Sequence, residues 1–292
     1  MIKTQIKFLD TKFLDQCIEL AHSRNSVPET NCAYCCIDRQ SIAADLEGMF
    51  ADEHSIMLGA FDDEDLVGIM GFFVHSPCGD GGVADCCGPF FAGNWNADLA
   101  RDLFDNARRA LSGVARINFY FNAKNADYHA LMADLSAVHY DNEYTLTLRK
   151  DDFVQQDFAP FVVPFDPAHK PAFVALLDKT FPDSYVGGEE LIANIGKTRK
   201  IFCALDDDGG LVGYGVLKID QGNAWAEIFA VDEKHRGKGY GGALLNRVIA
   251  AAFDNHDVWS IDLVVDKMNT RAADLYYSFG FKMAVENSAY RL

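Results

Sequence analysis

Apolar residues recur along this chain in two rhythms, and the change from one to the other marks out its elements. In the second half, 201–205, 211–219 and 224–231 are apolar runs of strand length, broken by polar turns at 206–210 and 220–223. They predict three strands in sequence. Residues 239–253 then place Leu244, Leu245, Val248, Ile249 and Ala252 at helical spacing. A strand at 259–265, a helix at 270–279 and terminal strands after Phe281 complete that half. Ahead of it lie a short strand at 161–163, a helix at 167–179 and a short helix at 189–195. Phe173, Leu176 and Leu177, with the later Phe181, would face a core. Strands followed by alternating helix and strand predict a mixed α/β (α+β) chain, with a mostly antiparallel central sheet flanked by helices.

The first half repeats this pattern. Ala60 to Gly68 reads apolar run, acidic turn, apolar run, and so does Leu205 to Gly213. Leu66 stands as far from Leu211 as Leu99 stands from Leu244. Leu99, Leu103, Phe104, Ala107 and Leu111 give a matching helix, and Ile117, Phe119 and Phe121 a matching strand. Asn122-Ala123-Lys124-Asn125 then parallels Asp266-Lys267-Met268-Asn269. Agreement across several elements predicts two copies of one unit. The polar stretch from Asp151, ending in Pro160, reads as the junction, giving domains of 1–150 and 151–292.

Composition narrows the partners. The chain has 292 residues, 49% of them hydrophobic, and a formal charge of −17. Disorder is therefore not expected. Such acidity argues against nucleic acid or an anionic membrane as partner and suits cationic small molecules such as amines. No signal-peptide-like or membrane-spanning run is seen, so the chain is read as cytoplasmic. Its 8 cysteines are then expected to be reduced thiols. Cys32, Cys35 and Cys36 form a cluster, and Cys86 and Cys87 are adjacent. Neighbours on a strand point to opposite faces, so no metal is expected.

The candidate chemistry centres on the segment from Val231 to Gly242, which follows a strand and opens a helix. Gly237, Gly239, Gly241 and Gly242 let the backbone approach a ligand closely. The first N–H groups of the helix are unpaired and favour an anion. Lys234, Arg236 and Lys238 reverse the local charge of an acidic protein, which suits a pyrophosphate. Gly237, Gly239 and Gly242 also satisfy the dinucleotide pattern G-x-G-x-x-G, but five residues separate the strand from the first glycine, and too few strand–helix units follow for a doubly wound sheet. His235 reads as a solvent-facing loop residue.

Arg236-Gly237-Lys238-Gly239-Tyr240-Gly241 fits the acyl-CoA loop R/Q-x-x-G-x-G/A, and Asn269 to Phe281 fits N-x-x-A-x-x-L-Y-x-x-x-G-F. In these motifs the chain resembles the GCN5-related N-acetyltransferases (GNAT), closely over 161–292 and as a degenerate copy over 1–150. The resemblance implies an acetyl-CoA-dependent N-acetyltransferase acting on a primary amine of a small molecule or peptide by direct attack in a ternary complex. The alternative is a non-catalytic acyl-CoA-binding sensor or interaction protein. A monomer is plausible on this reading and a dimer is not excluded.

Residue roles follow from the resemblance. The backbone of Arg236, Gly237, Lys238, Gly239, Tyr240, Gly241 and Gly242 would cradle the pyrophosphate. Phe229, Ala230 and Val231 would pair with the pantetheine arm, with the Val231 amide as oxyanion donor. Strand alternation is expected to place Glu227, Phe229 and Val231 on one face, and desolvation would make Glu227 a base. Tyr276 would protonate the leaving thiolate, Asn269 would bind the cofactor or orient the chain, Ala272 would leave room for the cofactor, and Tyr277 would be core or interface. Asp183, Tyr185, Glu189 and Glu190 are candidate acceptor contacts. In the first half the loop reads Gly88 to Asn96, without the arginine or the glycine run, and no CoA is expected there.

Overall fold

The computed structural model describes residues 4–75, 81–182, 184, 186–220 and 222–292. Asp183 and Tyr185 lie outside the described residues. Contacts divide the chain into unit 1, Met1–Glu143 with Glu286–Leu292, and unit 2, Tyr144–Val285.

In unit 1 the elements are β1 (Gln5–Phe8), α1 (Leu14–Asn25), α2 (Arg39–Ala51), β2 (Ile56–Asp62), β3 (Asp65–His75), β4 (Gly82–Phe91), α3 (Ala97–Ala110), β5 (Val114–Asn122) and α4 (Ala126–Asp134). β6 (Val138–Arg149) carries the chain into unit 2. There follow β7 (Val162–Pro164), α5 (Lys170–Thr180), α6 (Gly188–Ala193), β8 (Arg199–Leu205), β9 (Leu211–Asp220), β10 (Asn223–Val231), α7 (Tyr240–Phe253), β11 (Ser260–Asp266), α8 (Thr270–Ser278) and β12 (Lys282–Arg291). The expected elements of the second half are all present, except that a single strand follows Phe281. The fold is mixed α/β, with mostly antiparallel pairing and, among the described residues, a parallel contact in each unit, β4 with β5 and β10 with β11.

The order β1-β2-β3-β4-β5 in unit 1 matches β7-β8-β9-β10-β11 in unit 2. The helices correspond in sequence, α1 to α4 with α5 to α8. The inward stripes of α3 and α7 keep the spacing read from sequence: Leu99, Ala100, Leu103, Phe104 and Ala107 are buried in one, and Leu244, Leu245, Val248, Ile249 and Ala252 in the other. Asn125 caps α4 by accepting from the N–H of Tyr128, and Asn269 caps α8 by accepting from that of Ala272.

The division between units falls within β6 rather than in the polar stretch 151–160. That stretch is packed into unit 2. Phe153 contacts Phe253, Phe158 stacks on Phe279, and Gln156 exchanges two hydrogen bonds with the Asn246 side chain. In unit 2, Phe202, Leu217, Leu245 and Val248 belong to one buried cluster, and Phe173, Ile201, Tyr214 and Ile228 to another. Among the described residues no helix is long and apolar enough to cross a membrane. No group of three or more His, Cys, Asp or Glu among them could hold a metal ion.

Candidate active site

The site is built where β10 leaves β11. Their parallel pairing covers Ala224 with Ile261 and Trp225 with Asp262 among the described residues, and then stops. On its other side β10 stays paired with β9 as far as Val231. A bulge lies at the point of departure: Ala226 faces Leu217, Ile228 faces Val216, and Glu227 is the extra residue. Asp232 donates its N–H to the Val212 carbonyl. Alternation then turns the backbone groups of Ala230 toward β9, and those of Phe229 and Val231 toward the side that β11 has vacated. Phe229 and Val231 thus offer backbone hydrogen-bonding groups to the gap. Ala230 does not, and its side chain is buried in the core.

The bulge also corrects the expected strand face. Before it, Ala224 and Ala226 pack against the cluster containing α7. Beyond it Phe229 and Val231 do so, while Ile228 and Ala230 join the opposite cluster with Phe173. Glu227 is not aligned with Phe229 and Val231. It reaches Arg199, which shares its strand face with Ile201 and Cys203 on β8. The Arg199 Nε and Nη2 donate to the two Glu227 carboxylate oxygens, both at 2.7 Å. Both side chains are nearly buried, 9% and 4% exposed. Glu227 therefore sits in a paired environment rather than among apolar groups alone. Sequence reading missed Arg199, because its partner lies 28 residues away and on another strand.

The glycine loop has the expected form. A short helical turn at Glu233–His235 leads to Gly237 at φ +82° and Gly239 at φ +88°, conformations that suit glycine. Gly239 caps α7, and the N–H of Ala243 is the first to reach back to its carbonyl. The N–H groups of Tyr240, Gly241 and Gly242 have no acceptor within the helix. Arg236 donates from Nε to the Val231 carbonyl at 3.1 Å, joining the loop to the end of β10. Asp232 pairs with Lys179 at 2.9 Å, and this hydrogen bond holds its carboxyl below the usual value. His235 is half-buried rather than solvent-facing, and its Nδ1 has no hydrogen-bond partner. A Cβ on Gly242 would come within 2.4 Å of the Phe158 ring, so that glycine also serves packing.

On α8, Tyr276 faces inward and contacts Phe281. Burial pushes its phenol up to about 12, so it is protonated at neutral pH. Tyr277 points outward, 44% exposed, because only one face of this short helix is covered. Asn269 spends its side-chain oxygen on the cap. Of the expected acceptor acids, Glu189 is paired with Lys170 at 2.6 Å, and Glu190 is exposed.

A sheet parted beside an amide-rich helix start defines a protein of acetyltransferase fold. The model of the acetyltransferase (GNAT) family matches residues 168–281. A GCN5-related N-acetyltransferase from Sphaerobacter thermophilus has a similar structure, with a TM-score of 0.78, 16% identity, and coverage of 99% of this chain and 95% of that one. A tandem GNAT protein from the clavulanic acid biosynthesis pathway aligns with a TM-score of 0.72, 16% identity, and coverage of 99% and 98%. Over 96 residues the chain is 36% identical to mycothiol acetyltransferase of Clavibacter sepedonicus. That match covers 31% of this chain and 30% of the relative.

Proposed function

We propose that unit 2 is an N-acetyltransferase that takes acetyl-CoA as acyl donor and acetylates a primary amine of a small molecule or peptide by direct attack in a ternary complex. The parting of β10 from β11 beside the open amides of α7 carries this reading. A diphosphate suits the N–H groups from Gly237 to Gly242, with Arg236 adding charge at the rim. An extended chain bearing amides suits the outward backbone groups of Phe229 and Val231, which act as an unfilled sheet edge. Bound acetyl-CoA supplies the activated acyl group.

The chain's own residues do the rest. The Val231 N–H stabilises negative charge on the acyl oxygen. Arg199 fixes the Glu227 carboxylate, which orients the incoming amine and takes its proton as the C–N bond forms, directly or through water. The Tyr276 phenol is a protonated donor for the leaving thiolate.

A screen of amine acceptors that follows free-thiol release from acetyl-CoA tests the reading. Turnover with at least one amine, abolished in an Arg236→Glu, Gly239→Val double variant, is the expected result. Binding of acetyl-CoA without turnover on any amine would replace the enzyme with a sensor. No calorimetric heat with any CoA thioester would end both.

A further inference from the structure

Unit 1 repeats the parted strands but not the opening, and its own chain is the reason. β4 and β5 pair in parallel from Gly82 with Val114 to Asp85 with Asn118, and then separate. The connection between α1 and α2 enters this gap. Cys32 makes an antiparallel bridge with Phe121 of β5, and the N–H of Ala33 donates to the Tyr120 carbonyl at 2.7 Å. On the other side the Cys32 thiol lies 3.4 Å from the Cys86 carbonyl, and it accepts from the Gly88 N–H at 3.5 Å. One short segment therefore bonds to both strands.

Two side chains take up what remains of β4. Its Ala92 N–H donates to the Val67 carbonyl, as Asp232 does to Val212, so Pro89 and Phe91 stand where unit 2 has Phe229 and Val231. Pro89 has no N–H, and its carbonyl accepts from the Tyr128 hydroxyl at 2.8 Å. Tyr128 lies three residues past its capping asparagine, as Ala272 does in unit 2, so a buried ring fills the place of a methyl group. The Phe91 carbonyl accepts from Arg24 Nε at 2.7 Å, and the Arg24 Nη2 bonds to the carbonyls of Ala92 and Gly93 at 2.8 and 2.6 Å. In unit 2 Arg236 makes one such bond, to the Val231 carbonyl; in unit 1 Arg24 bonds to three carbonyls in a row and covers the strand end.

The entering segment is latched. The buried Asn25 side chain accepts from the Cys32 N–H at 2.7 Å and donates to the carbonyls of Cys32, Cys35 and Cys36 at 3.1, 2.7 and 2.9 Å. Cys32 and Cys35 are themselves 1% and 4% exposed. Four bonds to one buried amide hold this turn shut, and opening it would strand polar groups in the core.

We propose that segment 31–36, with Tyr128 and Arg24, is a built-in occupant of the unit 1 cleft, so that the chain takes acyl-CoA in unit 2 alone. The occupant uses the same strand edges that a pantetheine arm would need. The restriction to unit 2 rests on the function proposed above; the occupancy of unit 1 rests on its own contacts.

Hydrogen exchange on the intact chain, read by mass spectrometry with and without saturating acetyl-CoA, tests this alongside calorimetric stoichiometry. Without ligand, the amides of 31–36 should exchange at least about 100-fold more slowly than an exposed loop. Acetyl-CoA should slow exchange at 237–242, leave 31–36 unchanged and bind as a single equivalent. Loop-like exchange of 31–36 in the free protein, a change there on adding acetyl-CoA, or a second bound equivalent would overturn the proposal. Slow exchange at 31–36 with no response at 237–242 would support the occupant and remove unit 2 as the acyl-CoA site.

Discussion

Units 1 and 2 share an element order, an inward stripe on α3 and α7, and a capping asparagine on α4 and α8, yet they treat the same gap in opposite ways. In unit 2 the gap is bordered by Ala272, by the outward backbone of Phe229 and Val231, and by a loop of glycines. In unit 1 the corresponding positions hold Tyr128, Pro89 and Phe91, and the loop shrinks to Ala92–Asn96 with Arg24 bonded to its carbonyls. A fold can therefore be kept while its cleft is closed, because the core stripes and caps are independent of the few side chains that face the gap. The difference lies in volume and in what is left to bond: Pro89 lacks an N–H, and its carbonyl and that of Phe91 are taken by Tyr128 and Arg24.

The largest expected effect comes from the buried pair special to unit 2. Arg199→Met removes the cation of a buried, doubly hydrogen-bonded ion pair and should cost about 3–5 kcal/mol in chemical denaturation. Replacing both partners by methionine should recover most of that loss; if it does not, the packing of Arg199 matters more than its charge. In unit 1, Tyr128→Ala empties a buried ring site and should cost about 3 kcal/mol, with Tyr128→Phe losing about 1 kcal/mol through its hydroxyl. The reciprocal change, Ala272→Tyr, carries the unit 1 residue into unit 2. It should weaken acetyl-CoA binding about 100-fold, near 2.7 kcal/mol, with circular dichroism unchanged. Retained affinity would break the equivalence drawn between the two gaps.

Smaller effects test the chemistry and the loop. Tyr276→Phe should lower turnover about 10- to 100-fold at unchanged acetyl-CoA affinity. Asp232 has its carboxyl lowered by Lys179, so its contribution is present above the ordinary carboxyl pKa and is lost as pH falls through the lowered one. Asp232→Asn should then cost under about 1 kcal/mol at neutral pH and nothing in strong acid, seen as a pH-dependent difference in Tm.

Much of this comparison could be read before folding was considered. The hairpins, the stripes on α3 and α7 and the glycine loop are local patterns, with every informative residue within a few positions of the next. Strand irregularity and contacts distant in sequence decided the rest. Simple alternation puts Glu227 on the face of Phe229 and Val231, but one bulged residue reverses the parity beyond it. The residue pattern starts the unit 1 loop at Gly88, but Gly88 to Phe91 belong to β4. The polar stretch 151–160 does lead into β7, but its anchoring by Phe153 and Phe158 to residues far along the chain is not legible locally.

Spacing and residue type fixed which segments become strands and helices, where the helices are capped, and where an anion could meet a helix start, because those properties depend on neighbours along the backbone. Folding alone chose Arg199 as the partner of Glu227 and brought Cys32, Arg24 and Tyr128 to β4. Those contacts join residues remote in sequence, and a single bulge or one extra ring decides whether a cleft is open or filled.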